Sequence, residues 1–384
     1  MITRDIAYIG VDDTDLDLFE SQYIIPNGIS YNSYLIKDEK IAIMDTADNR
    51  KIDEWLGNLR TALDGRTPDY LVVQHMEPDH AGCIAEILEE YPAIKIVASA
   101  RAIQMMPQFF EDKDFSHNTI AVKEGDTLSL GEHTLQFFMA PMVHWPEVMV
   151  TYDKKDKVVF SADGFGKFGA LSHEEDWACE ARRYYFNICG KYGGPVQALL
   201  KKLATLDVEC ICPLHGPILK ENLGYYIGLY DTWSKYDVET EGVFIAYASI
   251  HGGTAAVANV MAEILREKGA KKVSVADLSR DDMAEAIEDA FRMDKMIVAA
   301  ASYDGGVFPV MHDFLHHLQI KAYQKRRVGI IENGSWAPCA GRVMRGMLEQ
   351  MKDVEIAEPM VTILSRMKQS DRAALEALAD AILK

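Results

Sequence analysis

The chain has 384 residues, 48% of them apolar and 26% charged, with a formal net charge of −19. Length and balance suit two or three globular domains with cores of their own, and the negative excess argues against nucleic acid or an anionic membrane as main partner, because both demand positive surface. The start Met1-Ile2-Thr3-Arg4-Asp5 does not open a targeting segment, no run approaches the roughly 18 apolar residues of a membrane span, and the six cysteines form no C-x-x-C pair, so a cytoplasmic protein without disulfide framework or thiolate metal site is expected.

In chain order, strands are predicted at Ile6 to Val11, Ile29 to Ile36, Lys40 to Met44, Tyr70 to Val73, Ile94 to Val97, Thr119 to Val122, Thr134 to Met139, Val148 to Tyr152 and Val158 to Ala162. Helical stretches at Arg50 to Asp64, Ala81 to Glu90 and Glu174 to Leu206 interrupt them. Runs of strands with helices interspersed fit two sheets packed between helix layers. Cys210 and Cys212, two apart, share one face of a further strand and read as buried thiols.

The strand Tyr70 to Val73 is followed at once by Gln74-His75-Met76-Glu77-Pro78-Asp79-His80, which sets four metal-type ligands within six residues. Imidazole and carboxylate at that density, released where the backbone turns sharply, read as one half of a metal site. Partners follow downstream: His144 after Thr134 to Ala140, Asp163 at the end of Val158 to Ala162, and His215 after Val208 to Pro213. An isolated His or Asp at a strand end is usually a turn or capping residue, but the same chemistry recurs at four successive strand ends. One tetrahedral ion holds about four ligands. Two ions sharing a bridging carboxylate would use all seven.

Near Glu239-Thr240-Glu241-Gly242 the pattern changes, which divides the chain into residues 1–241 and 242–384. Strands Val243 to Ala248, Lys272 to Val275, Lys295 to Ala300, Arg327 to Ile331 and Val354 to Ile356 now alternate with helices near Ala255 to Lys268, Asp282 to Arg292, Val310 to Ala322, Gly341 to Met351 and Asp371 to Leu383. Five such units give a doubly wound parallel sheet. Three loops after its strands look like a mononucleotide site. Ser249-Ile250-His251-Gly252-Gly253-Thr254 offers backbone N–H groups and a helix N-terminus to a phosphate. Ser302-Tyr303-Asp304-Gly305-Gly306 and Asn333-Gly334-Ser335-Trp336 would meet it at the carboxyl edge of the sheet, with Trp336 a flat surface for an aromatic ring. Without G-x-G-x-x-G or a distal ribose carboxylate, flavin mononucleotide (FMN) fits better than a dinucleotide.

With H-x-E-x-D-H, the later His, Asp and His, and the strand Tyr31-Asn32-Ser33-Tyr34-Leu35-Ile36, nearly the whole chain resembles the flavodiiron proteins, or A-type flavoproteins. That resemblance implies an α/β protein: an N-terminal metallo-β-lactamase-like αββα sandwich, then a C-terminal flavodoxin-like doubly wound parallel sheet. It implies one iron on His75, Glu77 and His144, a second on Asp79, His80 and His215, and Asp163 bridging the non-haem diiron pair. It also implies FMN as electron store, reduction of dioxygen to water or of nitric oxide to nitrous oxide, and a head-to-tail homodimer or dimer of dimers. As no paired C-x-x-C module closes the chain at Lys384, the electron donor is expected to be separate, with rubredoxin or a rubredoxin reductase the family expectation. The loops depart from common family patterns at His251-Gly252-Gly253-Thr254 and Asn333-Gly334-Ser335-Trp336, but keep backbone donors and the aromatic platform.

Hydrolase relatives carry H-x-H-x-D-H and bind zinc. Glu77 in place of the second His adds hard oxygen donors, which favour iron or manganese, and a hydrolase needs no electron store. Two alternatives are a zinc hydrolase with an appended flavodoxin-like domain, and a flavin electron carrier whose metal site only stabilises the fold. Trp145 and Phe165 are candidate walls of the metal pocket. His312 and His316, at i, i+4 on one helix with His317 beside them, could share a metal.

Overall fold

The structure is a computed structural model describing residues 2–111 and 113–384. Met1, first residue of the expected front domain, and Asp112 within it lie outside the described residues. Contacts divide the chain into two compact units, one of residues up to Tyr185 with Gly194–Asp231, the other of Phe186–Gly193 with Thr232–Lys384. The second therefore takes in a short segment from the later part of the expected front domain and begins before Gly242.

The first unit holds two large sheets whose strands follow chain order, beside two short two-stranded pairs, Val11–Asp13 with Ile29–Tyr31 and Leu18–Phe19 with Tyr23–Ile24. The first runs β1 (Ile6–Tyr8), β2 (Tyr34–Lys37), β3 (Ile41–Met44), β4 (Tyr70–Val73), β5 (Lys95–Ser99) and β6 (Thr119–Val122). The second runs β7 (Thr127–Ser129), β8 (Thr134–Met139), β9 (Met149–Asp153), β10 (Val158–Phe160) and β11 (Cys210–Cys212). Their inner faces make one core: Ile36, Ala42, Met44, Val72 and Val97 from the first meet Leu135, Phe137, Met149, Phe160 and Cys212 from the second. Alternate residues of each strand supply that core, the period-2 pattern of a pleated strand. The helix Ile52–Leu63 buries Trp55, Leu56, Leu59 and Leu63, a stripe at helical spacing, and completes the αββα layering with the other helices.

Three predicted elements are broken, each for an identifiable reason. The strand Ile6 to Val11 divides at Gly10, where a Cβ would stand 2.5 Å from the Tyr31 carbonyl oxygen. The strand Ile29 to Ile36 divides at Asn32, whose backbone N–H donates to the Leu214 carbonyl (2.8 Å) and whose side-chain amide donates to the carbonyls of Pro213 and Gly216 (2.8 Å each). The stretch Glu174 to Leu206 is two helices, Trp177–Ile188 and Gly193–Leu203, joined by a 3-10 turn. Gly193-Gly194-Pro195 is a poor helix interior but a good helix start.

The second unit is a parallel sheet of β12 (Thr240–Ala248), β13 (Val273–Asp277), β14 (Met293–Tyr303), β15 (Arg326–Asn333) and β16 (Val354–Ile356), in the order β13-β12-β14-β15-β16. A further strand that the alternation did not reveal, β17 (Val361–Ile363), pairs with the carboxyl half of β15 while β16 pairs with its start. The last edge is thus one strand in two segments. Along β12, Val243 and Ile245 pack with the helices Gly253–Glu267 and Arg372–Ile382, whereas Phe244 meets Phe314 of Pro309–Ile320. Both faces are covered, the doubly wound arrangement. Among the described residues no helix is long and apolar enough to cross a membrane.

Candidate metal centre and flavin cradle

All seven predicted ligands emerge beyond strand ends of the first unit and converge. His75 leaves β4 in a loop pinned by Asp45, whose carboxylate accepts from the Gln74 backbone N–H (2.7 Å) and side-chain amide (2.9 Å). Glu77 occupies the N-cap of the short helix Pro78–Ala81 but makes no capping bond; its carboxylate meets the imidazoles instead. The turn that follows sends Asp79 and His80 to the other side of the site. Their main chain is held by the Thr46 N–H and hydroxyl, both donating to the His80 carbonyl (2.7 and 2.8 Å).

The two oxygens of Asp163 divide the cluster. Asp163 Oδ2 lies 3.3 Å from His75 Nε2 and 3.2 Å from His144 Nε2, and Glu77 Oε2 lies 3.1 and 3.0 Å from the same two nitrogens. Asp163 Oδ1 lies 3.2 Å from His80 Nε2 and 3.9 Å from His215 Nε2, and Asp79 Oδ2 is 3.3 Å from each. Two donors about 2.1 Å from one ion and roughly 90–110° apart stand about 3.0–3.4 Å from each other, so nearly all these separations match edges of a coordination polyhedron. Both Asp163 oxygens, both Asp79 oxygens, His80 Nε2 and His215 Nε2 are buried without a hydrogen-bond partner. Orphaned polar atoms at that density are costly, and a pair of divalent ions satisfies them together. The donor set fits the group.

Electrostatics agree. Burial opposes charge on His75, yet the nearby Asp163 charge and hydrogen bonds to Glu147 and Glu77 outweigh it and raise His75 well above its ordinary value. Burial likewise opposes an ionised Asp163, but the charge on His75 and the imidazoles of His144, His75 and His80 close to its oxygens hold it well below the usual carboxylate range. His144 is raised to about 9 against its own burial by the close Asp163 carboxylate and by its hydrogen bond to Glu77. A site that attracts protons this strongly is one where metal ions displace them, so metal binding releases protons.

Sequence reasoning missed the residues that aim these ligands. Glu147, fully buried, accepts from His75 Nδ1 (2.8 Å) and the Met76 N–H (2.9 Å), which fixes the His75 tautomer and turns Nε2 inward. His215 Nδ1 donates to the Ser30 carbonyl (2.7 Å) with the same effect. Asn32 and Tyr34, whose hydroxyl also donates to Pro213, clamp the loop carrying His215. Phe19 and Tyr184 pack on the His215 ring at 5.4 and 5.5 Å between centroids. Asn32 and Tyr34 lie within the strand Tyr31 to Ile36 that helped carry the family resemblance, and Glu147 is a carboxylate two residues after Trp145. Trp145 stands edge-on to His75 at 5.2 Å, while Phe165 turns to Tyr230 at 4.3 Å.

In the second unit the three predicted loops gather at the carboxyl ends of β12, β14 and β15. Gly252, at φ +83°, caps the helix Gly253–Glu267 without a side-chain hydrogen bond to its first-turn amides. Ser302 and Tyr303 belong to β14 and pair with Gly306–Val307 across a turn in which Asp304 and Gly305 both have positive φ. The hydroxyl of Ser302 accepts from the N–H groups of Cys339 and Ala340, and Asn333 bonds Thr254 and Ser365, so both side chains tie loops together. His251 and Ser335 are exposed, Tyr303 is 45% exposed and Trp336 is 93% exposed. A bare tryptophan beside an open helix N-terminus suits a planar ring carrying a phosphate. His312 and His316 are exposed on Pro309–Ile320, and no third ligand gathers with them among the described residues.

Comparison with known proteins decides the family. A model described as ODP family beta lactamase matches residues 29–216. An uncharacterized protein of Methanocaldococcus jannaschii is 30% identical over 357 residues, covering 91% of this chain and 89% of that protein. The anaerobic nitric oxide reductase flavorubredoxin of Escherichia coli is 28% identical over 349 residues, 88% of this chain and 72% of the relative. The rubredoxin oxygen:oxidoreductase of Desulfovibrio gigas superposes with a TM-score of 0.93 at 27% identity, covering 100% of this chain and 97% of that one. The flavodiiron protein of Giardia intestinalis shares the fold at a TM-score of 0.91 and 22% identity, over 99% and 95%. The chain belongs to the flavodiiron proteins. As in that family, a metallo-β-lactamase-like sandwich and a flavodoxin-like sheet share one polypeptide.

Proposed function

We propose that this flavodiiron protein reduces dioxygen, nitric oxide or both, at two iron ions held by His75, Glu77 and His144 on one side, Asp79, His80 and His215 on the other, and Asp163 between. The observation that carries the reading is the division of Asp163, one carboxylate oxygen per triad. When bound, the iron pair would supply the electrons and Lewis acidity for the gas, and FMN would store and relay further electrons. The chain's own residues do the rest. Glu147 keeps a proton on His75 Nδ1 so that Nε2 is free to ligate, and Ser30 does the same for His215. Trp145, Phe19 and Tyr184 shield the imidazoles with aromatic rings.

In the second unit the Gly252–Thr254 turn would take the flavin phosphate, Tyr303 and Trp336 the ring, and the backbone near Gly305 and Gly334 its polar edge. Rubredoxin or a rubredoxin reductase is the donor we propose, a head-to-tail homodimer the assembly, and the cytoplasm the location. The named relatives are reductases, which weighs against the zinc hydrolase. The test is anaerobic reduction of protein of measured iron and flavin content, then stopped-flow mixing with each gas. Rapid reoxidation by at least one gas is expected. Iron-loaded, flavin-loaded protein inert to both would overturn the proposal.

A further inference from the structure

The three loops assigned to the flavin contain no lysine or arginine, and one carries Asp304, within a chain of net charge −19. A phosphate monoester placed there would meet backbone N–H groups but no full positive charge from these segments. A fourth loop, Leu364–Lys368, follows β17 and reaches the same edge of the sheet. Its contact with the first loop is close: a Cβ on Gly253 would stand 2.5 Å from the Ser365 carbonyl oxygen. Asn333 locks it in place, donating to that carbonyl (3.0 Å) and accepting from the Ser365 N–H (3.0 Å), while the Ser335 and Ser365 hydroxyls lie 2.8 Å apart.

Ser365 therefore touches the residue that opens the helix Gly253–Glu267, and the next residue is Arg366. Its guanidinium makes no ion pair or hydrogen bond among the described residues, and it is exposed. Lys368, the loop's other cation, is spent on the carbonyls of Leu364 and Arg366 (3.1 and 3.4 Å). We infer that Arg366 is the counter-charge for the phosphate of the flavin, and that this loop makes the site select a phosphorylated flavin over the unphosphorylated one. The inference rests on the flavin reading above. Its physical basis is that guanidinium to phosphate is a charge-assisted, geometrically matched contact that adds to, and does not replace, the helix N-terminus.

The test uses the full-length chain freed of flavin and titrated with FMN and with riboflavin, followed by quenching of flavin fluorescence, at low and high salt. Wild type should bind FMN more tightly than riboflavin, and high salt should weaken FMN alone. Arg366→Gln should weaken FMN about tenfold, flatten its salt dependence and leave riboflavin unchanged, with Arg366→Lys intermediate. Arg101→Gln, which removes the same charge from the first unit, should behave as wild type. If Arg366→Gln keeps the FMN preference and its salt dependence, or loses both flavins equally, Arg366 is not the phosphate partner. Wild type binding neither flavin would overturn the flavin reading and this inference with it.

Discussion

Glu147→Ala isolates the contribution of a residue that never touches the metal. The carboxylate is buried beneath His75 and accepts two N–H groups, from His75 Nδ1 at 2.8 Å and Met76 at 2.9 Å. Removing it leaves both donors buried and unpaired, at roughly 1–3 kcal/mol for each orphaned group. It also frees the His75 ring to rotate or to change tautomer, which would put a proton on Nε2. Loss of such a partner typically costs 10–100-fold in metal affinity, about 1.4–2.7 kcal/mol when converted to free energy. Glu147→Gln keeps the shape and an acceptor and should lose less. The assay is iron retention: loaded protein is mixed with excess chelator, release is followed by the absorbance of the chelate, and thermal unfolding of the metal-free variant is measured in parallel. Faster release from Glu147→Ala than from Glu147→Gln, with both faster than wild type, is expected. If iron leaves the alanine variant at the wild-type rate while the protein stays folded, His75 is not aimed by Glu147 and the account of the ligand shell is wrong.

Three further outcomes follow from the same geometry. Glu77→His restores the H-x-H-x-D-H pattern and replaces hard oxygen with imidazole, so protein expressed with both metals available should shift several-fold toward zinc by elemental analysis; an unchanged metal ratio would remove Glu77 from the selectivity argument. Gly253→Ala drives a methyl against the Ser365 carbonyl, so the variant should purify with less than half the wild-type flavin absorbance per chain while its iron content holds, and full flavin occupancy would show that the loops do not close as described. His133 is part of neither site. Burial opposes its charge, but the hydrogen bond and charge of Asp153 (3.0 Å) outweigh that and raise it above its ordinary value. A raised histidine stabilises fully below its unfolded value of about 6.5 and loses that contribution as pH rises through the higher folded value. Urea unfolding of wild type and His133→Gln should therefore differ most at mildly acid pH and converge as the pH is raised, and a gap that widens with pH would contradict the assignment.

The residues of the candidate metal centre were legible as a set of ligand types because each one is local information. Hydrophobic runs mark strands, ligand types follow them, and the run from His75 to His80 sets four donors in one turn. The breaks at Gly10 and Asn32 were not legible, because what interrupts those strands is a carbonyl or a loop contributed by distant chain. The strand β17 was hidden for a similar reason: Val361–Ile363 is short, and only its pairing with β15 makes it a strand.

By itself the sequence determined the inventory: seven donors of the right chemistry at strand ends, a carboxylate where hydrolases keep a histidine, and glycine-rich turns after parallel strands. Tertiary structure decided the arrangement. Packing of the two sheets brings the end of β4, from one, together with the ends of β8, β10 and β11, from the other, so that Asp163 can face both triads, and a carboxylate 72 positions from His75 sets its tautomer. The reason is that spacing along a chain fixes direction only over a turn or a strand, whereas coordination and hydrogen bonding depend on distances of about 2–3 Å that packing alone sets.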